Sequence, residues 1–362
     1  MPESIFSEAE RKRGSSRFRE ALSLYKTAYK KYKAADDSGG ELDCLLSMGD
    51  TCRMIGDFPR AADAYIEALS LSRKRRERLM SADAMVGLGL SIRALGHWQK
   101  ALKLFSDAKK IYREKSDRSG IAFTLWAEGG AFRVGGKIRN AFRSFREARR
   151  TYQSLSGEPD HRRGMAYCLC GLGGVSRVAG LFDDSMEFYR SAQVLLSSLK
   201  DRFGTAYSHC GIGNAFRMKG DYDKAMKHLK KAEAIYRRIG DIVSYSYTLW
   251  SLGMTLLMEG KHEKAREYFK KASANFRKTK DTRGIIYCRL ASAEVSFLKR
   301  EVGRSKGLIA EALTDALRNR FALETCHCRA LLDFVDSGKK NSACYSGIGL
   351  RLKFTPLPFN IP

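Results

Sequence analysis

The sequence predicts an all-α fold, a right-handed superhelical solenoid of about seven to eight antiparallel helix pairs. Three observations carry this: a forty-residue period, small residues at fixed places within it, and a body almost free of proline. The 362 residues hold six prolines, and Pro356, Pro358 and Pro362 fall in the last seven positions. Between Pro59 and Pro356 only Pro159 occurs. Proline lacks a backbone donor and clashes inside helices, so such a body reads as mostly helix.

The period is anchored on glycine. Gly56, Gly96, Gly136, Gly180, Gly220 and Gly260 follow at intervals of 40, 40, 44, 40 and 40 residues. Each is placed at the turn inside a pair, where it caps the first helix. Seven residues earlier stands a second glycine: Gly49, Gly89, Gly129, Gly173, Gly213 and Gly253. Five after the anchor comes a small residue, nine after a large one such as Tyr65, Phe105 or Phe145, and twelve after an alanine. Small residues let two helices approach, and the large one fills the groove between repeats. Asp37, Glu77, Asp117, Asp201, Asp241 and Asp281 lie nineteen before the next anchor, as N-caps.

Read in order, the first unit has Ser16 in place of the anchor and lacks a full leading helix. Six regular units follow. The 44-residue step carries its extra residues in the loop SLSGEPDHRRG. The last unit, anchored at Arg300, has lost its glycine, as expected of a capping repeat. One more helix, about Phe321 to Val335, covers it. The solenoid therefore spans 1–338. Residues 339–362 are expected to be an extended or disordered C-terminal tail, although Leu350, Leu352 and Phe354 alternate with Arg351 and Lys353.

Lysine and arginine number 66 against 40 acids, a net charge of +26. That balance favours acidic partners such as acidic peptides or nucleic acid. No apolar run approaches the roughly 20 residues of a spanning helix, so no membrane insertion is expected. The nine cysteines do not form a compact framework and read as reduced, buried thiols, which suits a cytoplasmic protein.

Several motifs reduce to packing. Gly87-Leu-Gly89, Gly171-Leu-Gly173 and Gly211-Ile-Gly213 mimic a dinucleotide fingerprint but recur at the repeat period without a preceding strand. Cys168-x-Cys170 and Cys326-His327-Cys328 lack a second pair at zinc spacing. The six histidines are scattered, and no nucleophile set converges. No enzyme activity, cofactor or metal is expected. The basic run Ser72 to Arg78 reads as a solvated helix end.

The aligned pattern L-G-x-x-x…G-x-(F/Y)-x-x-A-x-x-x-(Y/F)-x-x-A resembles the tetratricopeptide repeat over about Ser16 to Ala312. The forty-residue period, a longer second helix and junctions such as LKDRFGTAYSHCGIGNAF resemble the Pins/LGN-type repeats of spindle-orientation adaptors. The resemblance implies that the first helix of each pair lines a concave face.

Three columns on that face are not explained by packing alone. Arg53, Arg93, Arg133, Arg177 and Arg217 stand three before the anchor, and the series ends at Leu257. Only Arg53 has an acid, Asp50, on the patch of its own helix beneath it. Seven before that position stand Leu46, Val86, Trp126, Cys170, Cys210 and Trp250, and ten before it Asp43, Asp83, Phe123, Tyr167, Tyr207, Tyr247 and Tyr287. Asn214 joins Arg217 on one helix. The expected function is a non-enzymatic scaffold or adaptor holding an acidic, partly apolar peptide in an arginine- and aromatic-lined groove. The alternatives are RNA or single-stranded nucleic acid in the same groove, and a regulatory sensor of a small anionic or peptide signal. The sequence leaves the oligomeric state open.

Overall fold

A computed structural model describes residues 1–155, 157–350 and 357–362. Among them are 18 helices and no strand. Eight pairs follow in order: α1 (Pro2–Gly14) with α2 (Phe18–Ala34), α3 (Ser38–Met54) with α4 (Phe58–Lys74), α5 (Arg78–Ala94) with α6 (Trp98–Glu114), and α7 (Arg118–Val134) with α8 (Ile138–Gln153). Then come α9 (Pro159–Val178) with α10 (Phe182–Ser198), α11 (Arg202–Met218) with α12 (Tyr222–Ile239), α13 (Ile242–Met258) with α14 (His262–Thr279), and α15 (Thr282–Leu298) with α16 (Val302–Arg318). The single helix α17 (Ala322–Ser337) covers the last pair, and the short α18 (Ala343–Gly347) packs on α17.

The period has a simple mechanical origin. Helices α2 to α7 are each 17 residues long. Three-residue turns separate them, so helix plus turn takes twenty residues and a pair takes forty. The longer second helix implied by the resemblance is absent there. The anchor glycines all have positive φ, from +72° at Gly136 to +97° at Gly96, and Ser16 and Arg300 adopt the same conformation at 63°. A matching left-handed residue sits twenty positions on, in the turn between pairs, at Asp36, Arg76, Ser116, Lys200, Gly240, Lys280 and Arg320. Gly56 shows the closure: its N–H bonds Arg53 O at 3.1 Å and the next N–H bonds Cys52 O at 2.9 Å.

The helical glycines are sockets for aromatic rings. Tyr65 lies between Gly49 of its own pair and Gly87 of the next, where a Cβ would come within 2.7 and 2.2 Å of the ring. Phe145 sits in the same way between Gly129 and Gly171, and Tyr189 between Gly173 and Gly211. One ring thus ties each pair to its successor, and the fingerprint-like glycines are the second half of that socket. The aspartate caps form as expected at Asp37, Asp117, Asp201, Asp241 and Asp281. Glu77 occupies the N-cap without a side-chain cap bond, and its carboxylate accepts from Arg75 Nε at 2.7 Å instead.

Successive turns of the superhelix touch. The turn at Gly56 meets Ile242, Val243 and Thr279, that at Gly96 meets Asn319 and Phe321, and that at Gly136 meets Ala322. Trp98 belongs to the same buried cluster as Phe321, and Ile138 and Val178 to that of Leu323. The concave face is thereby enclosed rather than open.

Two expectations need correction. Cys326 and Cys344 form a disulfide with their Cα atoms 5.3 Å apart, because α18 folds back onto α17. The seven other cysteines are free. Residues 339–362, expected to be extended or disordered, include α18, and Tyr345, Leu350, Phe359, Ile361 and Pro362 are buried. Of the alternating stretch, only Leu350 falls within the described residues; Arg351 to Phe354 lie outside them.

Candidate functional site

The enclosed face leaves a cavity of about 250 Å³. Of the residues singled out in the sequence, Arg93, Arg133, Arg177, Tyr207, Asn214, Tyr247 and Trp250 line it. Arg53, Arg217, Trp126, Phe123 and Tyr167 do not. Asp281, Arg283 and Tyr287 line it too, and no sequence column marked Arg283.

The arginines reach it because of where they lie on the first helices. Arg93 and Arg133 lean across to the next first helix. Arg93 donates to Ala127 O, a long contact of 3.4 Å. A Cβ on Gly130 would fall 2.2 Å from Arg93 Nη1, and one on Gly174 3.3 Å from Arg133 Nη1. At Gly130 the missing Cβ leaves room for the preceding repeat's guanidinium, and at Gly174 the guanidinium and Tyr189 OH pack close to the backbone. Nε of Arg133 and of Arg177 is buried with no hydrogen-bond partner among the described residues. Burial, then the charges of Arg133 and Arg53, push Arg93 down to about 10.

The other cavity charges are matched. Arg283 pairs with the fully buried Glu324 at 2.5 Å. Tyr287 OH also donates to Glu324 Oε1, at 2.9 Å. Asp281 accepts from Gly284 N at 2.9 Å and from Tyr247 OH at 3.2 Å. Burial raises its pKa from the ordinary aspartate value. Among the described residues, the cavity thus combines three arginines that pair with no acid with the rings of Tyr207, Tyr247 and Trp250.

The remaining singled-out residues have internal partners. Arg53 bonds Asp50 at 3.1 Å, and Tyr65 OH donates to the same carboxylate at 2.6 Å. The indole N–H of Trp126 donates to Tyr167 O, and that of Trp250 to Tyr287 O, each at 3.2 Å. Both tryptophans stitch one first helix to the next. Tyr167 OH donates to the capping Asp201 at 3.0 Å. Phe123 stacks on Trp126 with centroids 5.5 Å apart and is 40 % exposed.

Arg217 differs from its series. It is fully buried, lies 5.5 Å over the Trp250 ring, and its Nε and Nη2 donate to Asn214 Oδ1 at 3.2 and 3.1 Å. Residues 357–362 cover it. Nη2 donates to Ile361 O at 3.0 Å, Nη1 donates to Asn360 Oδ1, and Asn360 Nδ2 donates back to Arg217 O at 2.9 Å.

Sequence comparison agrees with this architecture. Three family profiles, each described as tetratricopeptide repeat, match residues 54–116, 163–238 and 247–274. This chain is a tetratricopeptide-repeat protein. No curated protein matches it. Among solved structures, the tetratricopeptide-repeat chain is similar to the Rap conjugation gene regulator of the plasmid pLS20 in complex with the Phr* peptide. That match has 14 % identity and a TM-score of 0.63, and covers 96 % of this chain and 95 % of that one. It is also similar to a Rap protein complexed with Competence and Sporulation Factor, with 15 % identity, a TM-score of 0.60 and coverage of 93 % and 98 %. A third is aspartyl phosphate phosphatase F from Bacillus subtilis, with 12 % identity, a TM-score of 0.55 and coverage of 98 % and 97 %. At these identities the likeness concerns the fold.

Proposed function

We propose that this tetratricopeptide-repeat protein is a scaffold or adaptor that takes an acidic, partly apolar peptide segment on its concave face. An acidic group would enter the cavity against Arg93, Arg133 and Arg177. The observation that carries this is the buried Nε of Arg133 and of Arg177, without a hydrogen-bond partner among the described residues, beside a cavity whose one lining acid, Asp281, is taken up by Gly284 N and Tyr247 OH. An unsatisfied buried donor costs about 1–3 kcal/mol. A carboxylate supplied by a ligand recovers that cost, and each charge-assisted bond adds roughly 1.5–3 kcal/mol. The half-buried Tyr207 and Tyr247 would hold the apolar part. A solenoid of similar fold solved with the Phr* peptide supports a peptide as occupant.

Nucleic acid fits this face less well. Base stacking needs exposed rings, whereas Trp250 and Tyr287 are each 5 % exposed and packed between helices. The test is a pull-down at two salt concentrations, with and without nuclease. It compares the wild type with the double variant Arg133→Glu, Arg177→Glu. The reading expects nuclease-resistant capture that the double variant loses while keeping its helical circular dichroism. Capture unchanged in the double variant, or abolished by nuclease, would overturn it.

A further inference from the structure

Of the five arginines in the ladder, Arg53 pairs with Asp50 of its own helix, and Arg217 is met by a segment from the far end of the described chain. Residues 357–362 meet Arg217 on α11, Glu294 on α15 and Phe334 on α17, and α11 and α15 are among the first helices that build the concave face. Phe359 is 3 % exposed, its N–H donates to Glu294 Oε2 at 2.9 Å, and its ring meets Phe334 with centroids 5.6 Å apart. Asn360 brackets Arg217 from both sides, accepting from the guanidinium and donating to the backbone carbonyl. Ile361 is 3 % exposed and offers its carbonyl to the same guanidinium. Pro362 reaches the cavity lined by Arg93, Arg133 and Arg177. Glu294 stands six before Arg300, in the column that holds Gly130, Gly174 and Asn214 in earlier repeats. The segment therefore uses the ligand-facing columns themselves.

We propose that residues 357–362 are an intramolecular occupant of the concave face, held by Asn360 on Arg217 and by Phe359 on Glu294, and that a partner peptide must displace them. The inference rests on the peptide-binding reading above for the identity of the competitor, but not for the docking itself. The groups that hold the segment fit a role as a replaceable guest. Its acceptors at Arg217 are an amide and a backbone carbonyl, both uncharged. A carboxylate makes roughly twice as strong a bond to a guanidinium. A docked segment lowers the apparent affinity for any competitor by the fraction of open protein. Docking that leaves between about 1 and 10 % open weakens capture about ten- to a hundredfold.

The experiment uses the full chain with Phe359→Ala and Asn360→Ala, which release the segment without touching the solenoid. A labelled peptide of the sequence Leu-Pro-Phe-Asn-Ile-Pro is titrated by fluorescence anisotropy. The proposal expects it to bind the released protein at least tenfold tighter than the wild type. Adding Arg217→Gln to the released protein should remove that binding, with its circular dichroism unchanged. Equal binding to wild type and released protein, or none to a folded released protein, would overturn the docking. Release should also raise capture of the acidic partner about tenfold or more. Unchanged capture would overturn the competition even where the peptide binds. Loss of capture in the Arg133, Arg177 double variant alone bears on the peptide reading, so the two failures are distinguishable.

Discussion

Replacing Arg93 with methionine should stabilise the empty protein. Its guanidinium is pushed down from 12.5 to about 10, first by burial and then by Arg133 and Arg53. At 1.36 kcal/mol per pH unit, that drop corresponds to about 3 kcal/mol against the charged form. The sign is clear: a base with a lowered folded-state pKa weakens the fold at every pH below that value, so the whole cost is present at pH 7. The group is only half-buried and its tip faces the cavity, where solvent screens it, which brings the net cost to about 1–2 kcal/mol. Its single hydrogen bond, to Ala127 O at 3.4 Å, offsets little of this. Methionine keeps the aliphatic stem and removes the charge. With a urea m-value near 3 kcal/mol/M, the midpoint should rise by about 0.3–0.7 M. The assay is urea unfolding followed by circular dichroism, with partner capture measured on the same variant. A higher midpoint with weaker capture is the signature of a residue kept for binding. A midpoint lowered by a similar amount would refute the reasoning and make Arg93 structural.

Two further predictions concern the frame. Asp117→Ala should cost about 0.5–2 kcal/mol in urea unfolding, since its side chain caps Gly120 N at 2.8 Å, whereas Glu77→Ala, with no cap bond to lose, should shift the midpoint little. His327, buried with Glu324 and Arg283 near it and hydrogen-bonded to Tyr345, is pushed down to about 4 by burial. A base depressed in this way costs the fold nothing above its unfolded value near 6.5 and weakens it increasingly as the pH falls towards 4, because the unfolded chain takes the proton first. The thermal midpoint should therefore drop over that window, and His327→Asn, which keeps an acceptor for Tyr345, should flatten the drop.

The frame was legible because glycine and alanine are chosen by contact. A ring pressed on Gly49 and Gly87 leaves no room for a Cβ, so the repeat wrote itself into the sequence. The turn between pairs needs the same left-handed backbone but is filled by Asp36, Arg76, Ser116 and Lys200, and so carries no glycine signal. The arginine series was visible, but its surroundings were not. Arg93 and Arg133 lean onto Gly130 and Gly174 of the following repeat, and only packed neighbours reveal that. Two aromatic columns looked like a binding wall, yet Trp126 and Trp250 bond the next helix and Tyr167 holds Asp201. The contact of Asn360 with Arg217 joins residues 143 apart and depends on superhelical closure, for which no local pattern codes.

The most direct test of the central claim is a double-mutant cycle on the captured peptide. One arm changes Arg177→Gln in the protein, and the other changes the peptide's acid to its amide. If the guanidinium receives that acid, the two changes couple by about 1.5–3 kcal/mol, a ten- to hundredfold non-additivity in Kd. Additive effects, with no coupling between arginine and acid, would contradict the account.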